Sequence, residues 1–228
     1  MLEISSQMIK FPSNGDSTPG YLVQPTHGKH PGLVVIQEWW GLVPHIKEVA
    51  ERFARQGFVA LAPDLYHGQA TTEPDEARKL AMELDRERAV AEIQAAMRFL
   101  EAQQEVVPKR VGLIGWCMGG SLVISTAAAS ERIGAAVVFY GRPTDLELVK
   151  RIRTPLLGLY GEVDHGIPIQ SVQAFEAELK KQSVPHEIHI YPGAQHAFFN
   201  DSRPHIYHPQ AAQDAWQKTL AWFNKYMR

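Results

Sequence analysis

A single cysteine among 228 residues leaves no internal disulfide to be formed, so the disulfide-framed secreted scaffolds are excluded and the fold must rest on its core. No apolar run approaches the roughly 18 residues of a membrane span. The first ten residues, MLEISSQMIK, lack a basic start ahead of an apolar stretch, and the expectation is a soluble, cytoplasmic protein. Excess charge is missing too. The 23 Lys and Arg face 25 Asp and Glu, a net charge of −2, and the signs alternate in stretches such as ELDRERAVAE. This leaves no electrostatic footprint for nucleic acid or an anionic membrane, and a small-molecule partner is expected instead. No Ser/Gly-rich linker, internal repeat or low-complexity tract divides the chain. A single domain over 1–228 is the expectation, and 45% hydrophobic residues suffice for a sizeable core.

What is present alternates two periods. GLVVIQ (32–37), GFVALA (57–62), RVGLIG (110–115), GAAVVFYG (134–141), PLLGLYG (155–161) and HEIHIY (186–191) are short β-branched or aromatic runs bounded by glycine, proline or polar residues. Most are continuously apolar, as strands covered on both faces are. Between them, Ile46, Val49 and Phe53; Val90, Ile93, Met97 and Leu100; Val172, Phe175 and Leu179; and Ala212, Ala215, Thr219, Trp222 and Phe223 recur at spacings of three and four. Such stripes cover a sheet. The alternation predicts right-handed crossovers and a mostly parallel sheet, with a hairpin from residues 2–11 and 20–25 at its edge.

That architecture places Cys117 at the turn between the strand RVGLIG and a small-residue helix beginning MGGSLVIS, in the pattern G-x-C-x-G. A free cysteine is commonly a small buried hydrophobe. Here glycines two before and two after let strand and helix approach, and the side chain stands at the carboxyl end of the sheet, where open α/β folds bind ligands. The pattern reads as a nucleophile.

A thiol nucleophile needs a base, and the base an orienting acid. In this order of elements both come from later strand ends. Asp164 lies beyond PLLGLYG in EVDHGIP, and His196 beyond HEIHIYPG in AQHAFFN. Competing histidines are His165, His186 and His189 within a strand, and the His205/His208 pair, which lacks a third metal ligand nearby.

Taken together, PGLVVIQEWWGL, GFVALAPDLYHG, VGLIGWCMGG, LYGEVDHGIP and YPGAQHAFFN resemble the dienelactone hydrolase family of the α/β-hydrolase fold over most of the chain. The resemblance implies a mostly parallel central sheet of about seven to eight strands with helices on both faces. It also implies a monomer with a Cys117–Asp164–His196 triad that hydrolyses lactones and related esters without metal or cofactor. In that family the glutamate after the first parallel strand holds the resting thiol, which matches Glu38. The oxyanion of an attacked ester needs two N–H donors. One is the N–H of Met118, directly after the nucleophile; the other, by resemblance, is that of Trp39. Trp39, Trp40, Trp116 and Tyr140 are candidates for pocket wall or core. Members of chloroaromatic pathways bind a substrate carboxylate with an arginine four residues after the triad histidine, where this chain has Asn200; Arg78 and Arg203 are candidate substitutes. Two other readings use the same residues: a noncatalytic thiol sensor on a hydrolase scaffold, and a peptidase or acyltransferase.

Overall fold

The N-terminal hairpin turns at Asn14-Gly15, where both residues take positive φ, 50° and 80°, as a tight turn between twisted strands requires. It pairs β1 (Ile4–Ser13) with β2 (Asp16–Pro25) antiparallel along their whole lengths. The structure, a computed structural model, describes residues 2–143 and 145–228, which group into one unit up to Leu113 and another from Ile114 onward.

In the first unit β3 (Gly32–Ile36) is buried along its entire length. It leads through α1 (Pro44–Arg55) to β4 (Val59–Pro63), which it meets in parallel, with Leu33 opposite Ala60. β2 pairs antiparallel with the other side of β4, giving the order β1-β2-β4-β3. Proline at the first position of α1 needs no intrahelical N–H partner, and Arg52 and Arg55 oppose the negative end of the helix. Its buried face carries Ile46, Val49 and Phe53, the stripe expected from spacing. α2 (Pro74–Glu83) and α3 (Arg86–Ala102) follow. Asp85 caps α3, accepting from the N–H groups of Glu87 and Arg88 at 3.0 Å each, a cap whose loss costs about 1 kcal/mol. β5 (Gly112–Trp116), buried throughout, carries the chain into the second unit.

The second unit continues with α4 (Met118–Ala129), β6 (Ala136–Phe139), α5 (Leu146–Val149), β7 (Leu156–Gly161), α6 (Ile169–Lys181), β8 (His186–Tyr191) and α7 (Pro209–Met227). β6, β7 and β8 run parallel in that order. α4 is apolar nearly all round and buried nearly all round, as a helix inside the fold must be. α7 is fastened to β8 by the Tyr191 hydroxyl, which donates to Asp214 Oδ2 at 2.9 Å. Among the described residues no helix is long and apolar enough to cross a membrane.

The expected strands are present with ends moved by no more than two residues, except that β2 starts at Asp16, four residues before the expected Gly20. β4 starts at Val59 because Gly57, at φ 84°, still belongs to the turn after α1. In α3, Val90 is only half-buried, and the inward face runs through Ala89, Ile93, Ala96, Met97 and Leu100. α2 and α5 were not expected: α2 buries only Ala77, so no apolar stripe announces it, and α5 is a four-residue turn.

Candidate active site

The strand-to-helix turn after β5 holds Cys117 at φ 54°, ψ −117°. A side chain at such a φ costs of order 1–3 kcal/mol, so the surroundings must impose it. They do so at both ends. The Cys117 N–H donates to the Phe139 carbonyl at 3.0 Å, and the Cys117 carbonyl accepts the Ser121 N–H at 3.1 Å, the first bond of α4. Strand and helix pass so closely that a Cβ on Gly115 would lie 2.5 Å from the Gly119 carbonyl carbon. Only glycine fits there, and Cys117 is left partly exposed at the tip of the turn. Beneath it Trp116 is fully buried, stacked on Phe139 at 5.4 Å and Phe199 at 5.8 Å between ring centroids. Trp116 is therefore core.

Asp164 lies in the loop after β7 and is 5% exposed. Its Oδ1 accepts the N–H groups of Gly166 at 2.8 Å and Ile167 at 3.1 Å. Its Oδ2 accepts His196 Nδ1–H at 2.6 Å. A carboxylate only accepts, so Nδ1 carries a hydrogen and the other ring nitrogen is left for chemistry. His196 follows β8 and is hydrogen-bonded to Cys117 as well. Burial alone would pull the imidazole pKa down. The hydrogen bonds to Asp164 and Cys117, with the electrostatic influence of both, outweigh burial and push it up to about 10. Thiol, imidazole and carboxylate thus form one connected line, with the ring held in the orientation a general base needs. Tyr140, fully buried and at φ 37°, packs its ring 5.0 Å from that of His196.

The remaining candidates are less concentrated. Among the other histidines, His165 is exposed, His186 and His189 lie in β8, and His208 caps α7, its Nδ1 accepting the Ala211 N–H at 3.3 Å. Asn200 is 2% exposed, and its Oδ1 accepts the N–H and the hydroxyl of Ser202, so its carboxamide oxygen is engaged in its own turn. Arg203 is half-buried at the end of that turn. Met118 opens α4, and the first N–H groups of a helix have no carbonyl partner within it.

Within the first unit, Glu38 is 1% exposed just beyond β3, next to Gln37, whose Oε1 accepts the Leu65 N–H at 3.2 Å. Trp39 meets Trp40 edge to face at 4.9 Å, and Trp40 is buried. Arg78 is exposed on α2 and paired with Asp75. A cavity of about 520 Å³ opens among Leu65, Tyr66, Leu80, Leu84 and Arg88. On its wall the buried Glu92 carboxylate accepts from His67 Nε2 and Arg88 Nε, both at 2.9 Å. No sequence signal marked this cluster, since one glutamate on an inward helix face breaks no period. The donors to Asp164 did leave a signal: Asp followed two residues later by glycine is the signature of a turn closed by the side chain on its own backbone.

The sequence profile of the dienelactone hydrolase family matches residues 18–227. Protein usf of Aquifex pyrophilus is 37% identical over 97% of this chain and 99% of its own length. A relative from Aquifex aeolicus, provisionally named a carboxymethylenebutenolidase, is 34% identical over 97% of this chain and 99% of its own. Among solved structures, one from Klebsiella pneumoniae, provisionally named a dienelactone hydrolase, superposes with a TM-score of 0.91. It has 30% identity and covers 98% of this chain and 100% of its own. The fold is that of its α/β-hydrolase neighbours.

Proposed function

The chain belongs to the dienelactone hydrolase family, and on that premise we propose that it hydrolyses lactones and carboxylic esters through a thioester on Cys117. The observation that carries the reading is the unbroken hydrogen-bonded line from Cys117 through His196 to Asp164, mounted on a strained turn. In the forward step the thiolate sulfur attacks the ester carbonyl, and the carbonyl oxygen becomes an oxyanion. The N–H of Met118, at the positive end of α4, and that of Trp39 are proposed to receive it. Protonated His196 then gives its proton to the leaving alkoxide as the C–O bond breaks. Neutral His196 next takes a proton from water, whose oxygen attacks the thioester; the carboxylic acid departs and Cys117 regains its proton. Asp164 holds Nδ1–H throughout, so only the other nitrogen exchanges protons. In a lactone the leaving alkoxide stays tethered to the acyl group, so it is released only at the second step.

For Glu38 we carry the role the resemblance implies: its buried carboxylate accepts a hydrogen bond from the resting thiol, takes the first proton when substrate binds and returns it to the sulfur when the thioester is cleaved. The bond between Cys117 and His196 works against this by drawing the proton to the ring. Alkylation decides between them. Slow iodoacetamide labelling of the free enzyme, with Glu38→Gln folded but inactive, is expected; labelling at the rate of an exposed thiolate, or full turnover by Glu38→Gln, leaves His196 as the first base.

The main test is a screen of lactones, aryl esters and peptides with the wild type and Cys117→Ala side by side. Turnover of a lactone or ester by the wild type alone is expected. Turnover of peptides only would make the protein a peptidase. No turnover, with Cys117 reversibly oxidised by peroxide, would favour a sensor.

A further inference from the structure

Asp164 is held by a peptide that is itself held. The Ile167 N–H that donates to Asp164 Oδ1 belongs to the same peptide unit as the Gly166 carbonyl, and that carbonyl accepts a hydrogen bond from Arg142 Nη2. A guanidinium on the oxygen of a peptide draws electron density away from its nitrogen, which makes the N–H a stronger donor at the far end. Arg142 is thus linked to the carboxylate through one peptide unit.

Arg142 ends the segment Tyr140-Gly141-Arg142 that directly follows β6. Its first residue packs a ring on His196, and its second offers a carbonyl to the Tyr160 hydroxyl at 3.2 Å. The segment is pinned against α4, since a Cβ on Gly141 would lie 2.6 Å from Ser121 N and 2.7 Å from Gly120 Cα, both backbone. One rigid segment therefore reaches the base through Tyr140 and the loop of the acid through Arg142.

We propose that Arg142 is a positioning residue for the Asp164–His196 pair, acting through the Gly166–Ile167 peptide. The inference rests on the triad reading above. It makes Arg142, an exposed side chain, matter to chemistry it does not touch.

The test uses the full chain and separates position from charge. Removing a nearby cation would by Coulomb's law make His196 easier to protonate and raise its pKa. Removing a brace loosens the Asp164 bond and lowers it. In a Cys117→Ala background, where Asp164 is the remaining partner pushing the ring up, the His196 imidazole is titrated by NMR with Arg142 intact and as Arg142→Ala. A downward shift is expected, with Arg142→Lys closer to the parent because a lysine keeps one charged donor. In the Cys117 enzyme, Arg142→Ala is expected to lower kcat about 5- to 30-fold with KM within twofold, the size of a weakened charge-assisted bond of roughly 1–2 kcal/mol. An unchanged or upward His196 titration overturns the brace. The titration needs no turnover, so inactivity of the wild type would sink the hydrolase reading while leaving this one standing or falling by itself.

Discussion

Replacing Asp164 with asparagine keeps the size of the side chain and removes only the charge and one pair of acceptor sites. The carboxylate accepts three bonds: from His196 Nδ1 at 2.6 Å, Gly166 N at 2.8 Å and Ile167 N at 3.1 Å. Asparagine has one oxygen for these donors. If the oxygen stays with the two backbone N–H groups, the NH₂ faces Nδ1, and the ring must shift its hydrogen to the other nitrogen to accept. That nitrogen can then no longer act as a base. If the amide turns over to keep the ring in its working tautomer, two backbone donors lose their acceptor, at roughly 1 kcal/mol each. The working form is then disfavoured by about 2 kcal/mol, a factor of roughly 30. Loss of the charge that stabilises the imidazolium removes a further ~1.5–3 kcal/mol, or about 10- to 150-fold. Acylation should therefore slow by roughly 300- to 5,000-fold, while circular dichroism stays close to wild type and the thermal midpoint falls without loss of the fold, because the charged pairing with His196 is lost. The assay is kcat/KM for the best lactone or aryl ester in the screen. A variant retaining more than a tenth of wild-type turnover would refute the role of Asp164, and one that unfolds would make it a structural residue.

Two further outcomes follow from the same geometry. The folded-state pKa of His196 is raised, to about 10 from an ordinary 6.5, so its charged pairing stabilises the fold fully below pH 6.5 and fades as pH rises toward 10; the thermal midpoint of wild type should fall between pH 7 and 10 more than that of His196→Gln, and equal slopes would contradict the pairing. Gly115→Ala sets a methyl against the Gly119 backbone, 3.0 Å from Gly120 N, and should cost about 1–3 kcal/mol in denaturant titration along with much of the activity; a neutral effect would mean that the turn has room to relax.

The sequence was most legible where a period or a forbidden side chain leaves a mark. β3 and β5 are read from unbroken apolar runs because both are buried along their whole length. The Cys117 turn is read from glycines because a methyl at Gly115 cannot fit. Asp164 and His196 are read from their order after strands, and the structure joins them at 2.6 Å. Legibility fails where contacts join residues far apart in sequence without repeating. Arg142 reaches Gly166 across 24 residues, and His67 reaches Glu92 across 25. Nothing at either end announces the other. α2 fails for the opposite reason: with one buried residue it has almost no inward face to show.

Backbone strain in the second unit gathers where the chemistry is proposed. Of the six described non-glycine residues at positive φ, Cys117 is the proposed nucleophile, Tyr140 packs on His196, and Ala197 directly follows it. Each position opposes folding by of order 1–3 kcal/mol. Adjoining these positions in the chain are Trp116, Phe139, Phe198 and Phe199, all buried and linked by ring contacts at 4.8 to 6.2 Å. Burying one such ring is worth roughly 1.5–3 kcal/mol, the same size as the strain at one site. The aromatic layer therefore holds the turns in conformations they would leave if it were thinned. Truncating Phe199 should then loosen Cys117 before it unfolds the unit, because the strained turn is the first element with free energy to gain from moving.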